Sequence, residues 1–189
     1  MAKLNKLSDT PLNISMVLDL SKCRLNNVSA IYIGGGNTYK LLHLAEESGF
    51  LPVLKKYIQD GGMVYGASAG AILMGKDIST YIEDKYIMEN EIHNYTFTKG
   101  LGLVGNYSII THFHDDDGGE KVKEYSEKNS HSVIAIPEGA GLIIESDNMR
   151  VIGGKAITIF EKNGTVMEME PDRIYNFLMC DTIKTSHIT

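Results

Sequence analysis

The segment Gly66-Ala67-Ser68-Ala69-Gly70 constrains the fold of this chain more than any other stretch of its sequence. The apolar run Met63-Val64-Tyr65 before it predicts a short buried strand, and the apolar run Ala69–Met74 after it predicts a helix. A Gly-x-Ser-x-Gly motif between a strand and a helix is typical of a nucleophile elbow, whose sharp turn leaves the serine exposed above the sheet edge. The pattern therefore indicates an α/β fold in which Ser68 is a candidate nucleophile.

A second glycine-rich turn, Gly34-Gly35-Gly36-Asn37-Thr38, also joins a predicted strand to a predicted helix. Backbone amides at a helix N-terminus suit anions, so this loop is a candidate for holding either a phosphate or an oxyanion. It lacks the Lys-Ser/Thr pair of a P-loop and the spacing of a dinucleotide-binding fingerprint. We therefore expect the Gly36 amide, together with the Ala69 amide that follows the serine, to stabilise an oxyanion.

His112 is the histidine best placed to act as a general base. It ends the predicted strand Tyr107–His112, and the carboxyl ends of parallel strands gather at one sheet edge, which places it beside Ser68. Two other interpretations remain open: a strand-end histidine without a catalytic role, and a metal site built from His112, His114 and the aspartates at 115–117. No helical histidine spacing supports the metal site.

An orienting carboxylate is expected in the turn Tyr81-Ile82-Glu83-Asp84-Lys85, which follows the helix after the serine. Either Glu83 or Asp84 can accept a hydrogen bond from His112 and so fix its tautomer. A solvated acidic turn explains the same residues equally well. The spacing alone leaves this choice open.

Composition narrows the classes of partner. The chain has 189 residues, 43% of them hydrophobic and 22% charged, which is ordinary for one globular domain with its own core. The net charge of −6 argues against a nucleic-acid partner. The sequence shows neither an apolar run of membrane-spanning length nor a secretory signal, and its two cysteines form no disulfide framework. We expect a soluble, cytoplasmic protein that makes no membrane contact.

Strand-like and helix-like segments alternate along the first two thirds of the chain. This alternation predicts a mostly parallel sheet covered by helices on both faces, with short antiparallel strands near the C-terminus. The predicted strands are Leu12–Leu18, Val28–Ile33, Met63–Tyr65, Tyr107–Phe113, Val133–Ile136, Leu142–Glu145, Arg150–Ile152 and Ala156–Phe160. The predicted helices begin at Thr38 and Ala69 and cover Leu51–Gln59 and Gly119–Lys128.

Four motifs together resemble the peptidase E family, the aspartyl dipeptidase group of serine peptidases that also includes the cyanophycinases. Their order and nearly all spacings agree from about residue 12 to residue 160. The resemblance implies one domain over residues 1–189, lacking the family's first strand and helix, with a flavodoxin-like fold similar to class I glutamine amidotransferases. The motifs are Gly34–Thr38 with Leu41-Leu42, Gly66–Ala71, His112-Phe113 and Pro137-Glu138-Gly139.

The resemblance also implies roles for single residues. Ser68 would be the nucleophile, His112 the base and Glu83 the acid, with Asp84 as the alternative one residue away. Within the matching motifs, the amides of Gly36 and Ala69 would form the oxyanion hole, and Asn37 and Glu138 would contact the substrate. Such an acyl-enzyme mechanism requires neither a metal nor an organic cofactor.

One departure from the family concerns substrate choice. The aspartyl dipeptidases hold the substrate carboxylate with an arginine after the catalytic histidine, whereas the matching position here is Val122. A nearby lysine gives charge but not the bidentate fork of arginine. The expected substrate is therefore a dipeptide or short peptide with a free amino end, with N-terminal aspartate as one candidate.

The missing first strand leaves other interpretations open. The same residues fit a cyanophycinase-like isopeptidase or a non-catalytic binding or assembly homologue on the same fold. Unpaired sheet edges would favour a homodimer.

Overall fold

The computed structural model describes residues 13–80, 97–146 and 148–176. After a short 3-10 helix at Leu20–Lys22, these residues form helices and strands in alternation and then a run of strands. The helices are α1 (Thr38–Glu47), α2 (Phe50–Gln59), α3 (Ala69–Met74) and α4 (Asp115–Asn129). The strands are β1 (Ala30–Ile33), β2 (Met63–Gly66), β3 (Tyr107–Thr111), β4 (Ser132–Ile136), β5 (Ala140–Glu145), β6 (Asn148–Gly153), β7 (Ile157–Phe160), β8 (Val166–Met169) and β9 (Ile174–Asn176).

Strands β1 and β2 form a parallel pair that packs on α1 and α3 through one face. The inward side chains Ile31, Ile33 and Val64 meet a core that includes Leu42 of α1 and Ile72 of α3. Helix α3 packs very closely against the end of β2. A Cβ at Gly66 would lie only 2.6 Å from the carbonyl carbon of Gly70, so a larger residue does not fit there. Glycine at position 66 thus sets how closely the helix approaches the strand.

The opposite face of the β1–β2 pair is open. Tyr32, Met63 and Tyr65 are 64%, 68% and 62% exposed, and the two tyrosine rings stack with centroids 5.5 Å apart. The sequence therefore predicted the strand at Met63–Tyr65 correctly and its burial wrongly. Apolar side chains in a parallel strand indicate burial on both faces, but within the described residues nothing packs against this face.

The second half of the chain builds two further sheets. Strands β3, β4, β7 and β8 lie in that order, with β3 and β4 parallel and the other two pairs antiparallel. Strands β5, β6 and β9 form an antiparallel sheet. A common core between the two sheets contains Ile134, Met149, Val151, Ile157 and Ile159.

The predicted α/β class and the antiparallel strands near the C-terminus are confirmed, but two parts of the fold prediction are wrong. Only two of the six described strand pairs are parallel, so the pairing is mixed instead of mostly parallel. In the predicted strand Leu12–Leu18, the described residues 13–18 form no strand, and Met16 and Leu18 are 67% and 87% exposed. A strand needs a hydrogen-bonding partner, and no described strand pairs with this segment. None of the described helices is both long and apolar enough to cross a membrane.

Candidate active site

Ser68 sits in the sharp turn between β2 and α3. Its backbone has φ 52° and ψ −117°, a left-handed conformation that is costly for a residue other than glycine. The turn is held by the Ala67 amide, which donates to the Ile33 carbonyl at 2.9 Å, and by the Ala71 amide, which donates to the Ser68 carbonyl at 2.8 Å. The strand–turn–helix arrangement that the motif predicted is therefore present, with the serine at its apex.

His112 is the first residue after β3, where it meets Ser68. Its Nε2 atom lies 2.9 Å from Ser68 Oγ. Its backbone also turns sharply, with φ 58°, and the Phe113 amide then donates to the Ile136 carbonyl at the end of β4 at 3.2 Å. The carboxyl ends of β2 and β3 thus bring together the Ser68 hydroxyl and the His112 imidazole, two side chains that the sequence analysis expected to be neighbours.

Glu138 completes a chain of three side chains. It lies in the turn between β4 and β5, and its Oε1 atom contacts Nδ1 of His112. Ser68, His112 and Glu138 thereby form a hydroxyl–imidazole–carboxylate chain, the arrangement of groups that serine-hydrolase triads have. The sequence analysis expected Glu138 at the substrate and Glu83 or Asp84 on the histidine, but residues 83 and 84 lie outside the described residues. The overlooked signal was that Glu138 follows β4, just as His112 follows the neighbouring strand β3.

The two titratable members of this chain are open to solvent. The side chains of His112 and Glu138 are 54% and 64% exposed. An exposed contact of this kind contributes only about 0–1 kcal/mol to stability even where both groups are charged, because water screens it. The contact between Glu138 and His112 therefore contributes little to the stability of the fold.

Two backbone amides near Ser68 are available as donors. Among the described residues, the amides of Gly36 and Ala69 donate to no backbone carbonyl. The Ala69 amide belongs to the first turn of α3, where helical geometry leaves amides without a partner. The glycine loop reaches the serine itself, since a Cβ at Gly35 would lie 3.1 Å from Ser68 Cβ and 3.5 Å from Ser68 Oγ. The loop and the first turn of α3 thus border the same side chain.

Asn37, which the sequence analysis expected at the substrate, has a local structural role. Its Oδ1 atom accepts a hydrogen bond from the Lys40 amide at 2.9 Å and so caps α1. This cap fixes where the glycine loop ends and the helix begins. A contact between Asn37 and the substrate stays a prediction.

Val122 belongs to α4 and is buried in the core. It is 8% exposed and belongs to a cluster with Phe113, Val133 and Phe160. The position that the resemblance matched to a substrate-binding arginine therefore presents no group to a substrate. Among the described residues, no three histidine, cysteine or acidic side chains gather as metal ligands; side-chain positions at 115–117 are not described.

Comparison with known proteins places these features in a family. The family model described as Peptidase family S51 matches residues 2–152. A protein named Peptidase E from Streptomyces coelicolor is 30% identical over 151 residues, which cover 75% of this chain and 59% of that protein. A protein named Probable alpha-aspartyl dipeptidase from Drosophila melanogaster is 24% identical over 165 residues, which cover 82% of this chain and 66% of that protein.

A solved structure shares the fold. The crystal structure of a peptidase from an acI-B1 Actinobacterium matches with a TM-score of 0.57 at 18% identity, covering 78% of this chain and 59% of that one. The chain thus spans between 59% and 66% of the length of these proteins. Because the family model covers most of the sequence, including Ser68, His112 and Glu138, the chain belongs to peptidase family S51.

Proposed function

We propose that this protein is a serine peptidase that hydrolyses dipeptides or short peptides with a free amino end through a covalent acyl-enzyme. The observation that carries the proposal is the chain of contacts from Ser68 Oγ through the His112 ring to Glu138. Membership in a peptidase family and similarity to proteins named Peptidase E and Probable alpha-aspartyl dipeptidase support the same reaction class.

Acylation begins at Ser68. Nε2 of His112 accepts the hydroxyl proton while Oγ attacks the carbonyl carbon of the substrate peptide bond. Glu138 accepts a hydrogen bond from Nδ1–H and stabilises the imidazolium that forms. The amides of Gly36 and Ala69 donate to the oxygen that becomes negatively charged.

The tetrahedral intermediate then collapses. His112 returns the proton to the leaving amine, which departs and leaves an ester on Ser68. A water molecule, deprotonated by His112, attacks this ester and releases the acyl group as a free acid. Both steps use the same base, and the proton that His112 takes from water returns to Ser68 Oγ.

In this scheme Glu138, and not Glu83 or Asp84, is the acid that orients the base. The contact between Glu138 and His112 supports this assignment. The finer fold is proposed as flavodoxin-like, with a core similar to class I glutamine amidotransferases. Its support is that Gly36, Ser68 and His112 follow the carboxyl ends of β1, β2 and β3, and that Ser68 and His112 are in contact.

Aspartate selectivity is the open part of the substrate assignment. The position matched to the carboxylate-binding arginine holds the buried Val122, so that site lacks a cation for an aspartyl side chain. We therefore propose a dipeptidase with broad preference at the N-terminal residue. A free N-terminus is expected as a requirement, because one relative is named a probable alpha-aspartyl dipeptidase and a dipeptide substrate has a free amino end.

The decisive experiment measures release of free amino acid from a panel of X-Leu dipeptides, including Asp-Leu, by the wild-type protein and by Ser68→Ala. The panel also contains N-acetyl-Asp-Leu and a β-aspartyl dipeptide. Cleavage that Ser68→Ala abolishes supports the proposal, and the preferred X defines the selectivity. Cleavage confined to the β-aspartyl substrate favours an isopeptidase. Folded protein that cleaves no member and does not react with an organophosphonate fits the non-catalytic alternative and contradicts the proposal.

A further inference from the structure

We propose that Thr80 is a positioning residue for this reaction: its hydroxyl holds β3, and hence His112, at hydrogen-bonding distance from Ser68. This inference rests on the proposed function, because it concerns the geometry of the same nucleophile and base. Thr80 lies outside every motif that the sequence analysis singled out.

The connection runs through residues 75–80, called here the α3 arm, which follow the helix that Ser68 begins. The arm lies along β3. The Lys76 amide donates to the Tyr107 carbonyl at 2.8 Å, and Thr80 Oγ1 donates to the Ile109 carbonyl at 2.7 Å. One edge of β3 is paired with β4, so the α3 arm supplies donors at the other edge. A continuous path therefore leads from Ser68 through α3 and its arm to the strand that carries His112.

The α3 arm is itself fixed on its outer side. The Ile78 amide donates to the Thr98 carbonyl at 2.8 Å, and Thr98 Oγ1 donates to Asp77 Oδ2 at 2.8 Å. The hydroxyls of Ser79 and Tyr125 lie 2.7 Å apart, which ties the arm to α4. Contacts on both sides hold the α3 arm in place. If β3 shifts, the arm therefore does not move with it.

Thr80 makes the bond of the arm that is nearest to His112. It is buried, and the carbonyl that accepts from it belongs to Ile109, three residues before the base. Among the described residues outside the strand ladders, no backbone amide donates to this carbonyl, so the Thr80 side chain supplies its described contact with the α3 arm. Loss of the hydroxyl leaves a buried carbonyl without this donor and frees the end of β3 to shift. A misplacement of about 1 Å between reacting groups can lower a rate about 100-fold.

The test compares three variants with the wild-type protein. Thr80→Val keeps the side-chain shape and removes the donor, whereas Thr80→Ser keeps the donor and removes a methyl group. Ser126→Ala is the matched control, because Ser126 is a buried residue whose hydroxyl donates toward the carbonyls of His131 at 2.7 Å and Phe160 at 3.2 Å, neither of which belongs to the α3 arm or to β3. The measurements are kcat and KM on the best dipeptide, the labelling rate of Ser68 by a small organophosphonate, and the thermal midpoint.

We expect Thr80→Val to lower kcat and the labelling rate by roughly 10- to 100-fold, with KM nearly unchanged, because the lost interaction affects the reacting groups and not substrate binding. Thr80→Ser should restore most of kcat. Ser126→Ala should lower the thermal midpoint and leave kcat of the folded protein within about twofold of wild type, since it removes a hydrogen bond without moving the reacting groups. Thr80→Val with wild-type kcat, or Ser126→Ala with an equal loss of kcat, would overturn the inference.

The labelling rate separates this inference from the proposed function. If the wild-type protein cleaves no peptide but is labelled at Ser68, the peptidase proposal fails and the Thr80 comparison still decides the inference through labelling. If Ser68 of the wild-type protein is not labelled at all, both proposals are overturned. Equal labelling of wild type and Thr80→Val contradicts the positioning role alone.

Discussion

Ser68 and His112, separated by 44 residues in the chain, meet at 2.9 Å between Oγ and Nε2, and both have a positive φ, 52° and 58°. Left-handed backbone at a residue other than glycine costs about 1–3 kcal/mol and persists where the surrounding structure enforces it. Here two such turns occur at the ends of two strands and point their side chains at one another. This conformational cost therefore accompanies a geometry in which the side chains of Ser68 and His112 point toward each other.

Removal of either reactive group should abolish hydrolysis. Ser68→Ala and His112→Ala are each expected to lower kcat by between about 10³- and 10⁶-fold, because members of a triad act as a unit. The double variant should be no slower than the worse single variant. Steady-state cleavage of the best dipeptide, with circular dichroism to verify folding, measures both effects. Additive losses would show that the two residues act independently.

Loss of the Glu138 carboxylate should lower kcat more than loss of the Glu83 carboxylate. Glu138→Gln keeps the shape of the side chain but removes its charge, and a loss of kcat of about 10²- to 10⁴-fold is expected because the imidazole loses its orienting anion. Glu83→Gln is the matched variant, and it should retain most of the activity. The measurement is kcat for the same dipeptide. The opposite ranking would return the acid role to the turn after the serine helix.

A methyl group at Gly35 should impair the nucleophile without unfolding the protein. Its Cβ would lie 3.1 Å from Ser68 Cβ, closer than ordinary van der Waals contact, so the serine side chain must shift. Gly35→Ala is expected to lower kcat about tenfold or more. Gly34→Ala is the control, because the described atom that its Cβ would meet is Cε1 of Tyr32, at an ordinary contact distance of 3.5 Å. Equal kcat values in the two variants would show that the loop does not restrain Ser68.

Restoring an arginine at position 122 should damage the fold and confer no aspartate selectivity. Val122 is a residue of α4 whose side chain is packed in the core, so Val122→Arg must bury a charge or displace the helix. The expected loss in free energy of unfolding is about 3–5 kcal/mol. Lys123→Arg, at the adjacent exposed position, should change it by less than about 0.5 kcal/mol. Urea denaturation measures both, and a stable Val122→Arg variant that prefers Asp-Leu would contradict the assignment.

The stability of the protein should decrease in mild acid through His131. Burial lowers the pKa of this side chain from 6.5, the nearby Lys76 lowers it further, and Asp77 partly opposes the shift. Because the unfolded chain then binds the proton more tightly, the free energy of unfolding should fall as the pH drops below about 6.5 and stay level above it. His131→Gln should reduce this slope. Urea denaturation at pH values between 5 and 8 measures this slope, which corresponds to about one proton. Parallel curves for the wild-type protein and His131→Gln would exclude His131 as its source.

Local signals in the sequence were sufficient for the elements that hold the nucleophile. The Asn37 cap predicts the start of α1, and the small residues around Ser68 predict the strand–turn–helix, because both depend on a few neighbouring residues. The strand β3, which ends at Thr111 directly before His112, is predicted by its run of β-branched residues. These features lie within single segments, so no knowledge of the rest of the fold is needed.

Features that depend on neighbours distant in sequence could not be predicted. The contact of Glu138 with His112 depends on β4 lying next to β3. The exposure of Met63 and Tyr65 depends on whether another element packs against their face of the β1–β2 pair. The segment before Asp19 has strand-like composition but no described partner strand, and composition alone does not reveal pairing. The contact of Thr80 with Ile109 spans 29 residues and carries no motif.

The exposure of His112 and Glu138 determines which molecules compete for the acyl group. More than half of each side chain is open to solvent, so the ester that the proposed mechanism places on Ser68 would be open to nucleophiles other than water. An amino acid or dipeptide at high concentration enters by the same open side and, once deprotonated by His112, forms a new peptide bond. The geometry proposed for hydrolysis is therefore also expected to lengthen dipeptides when acceptor amines are abundant, with products that mass spectrometry distinguishes from those of hydrolysis.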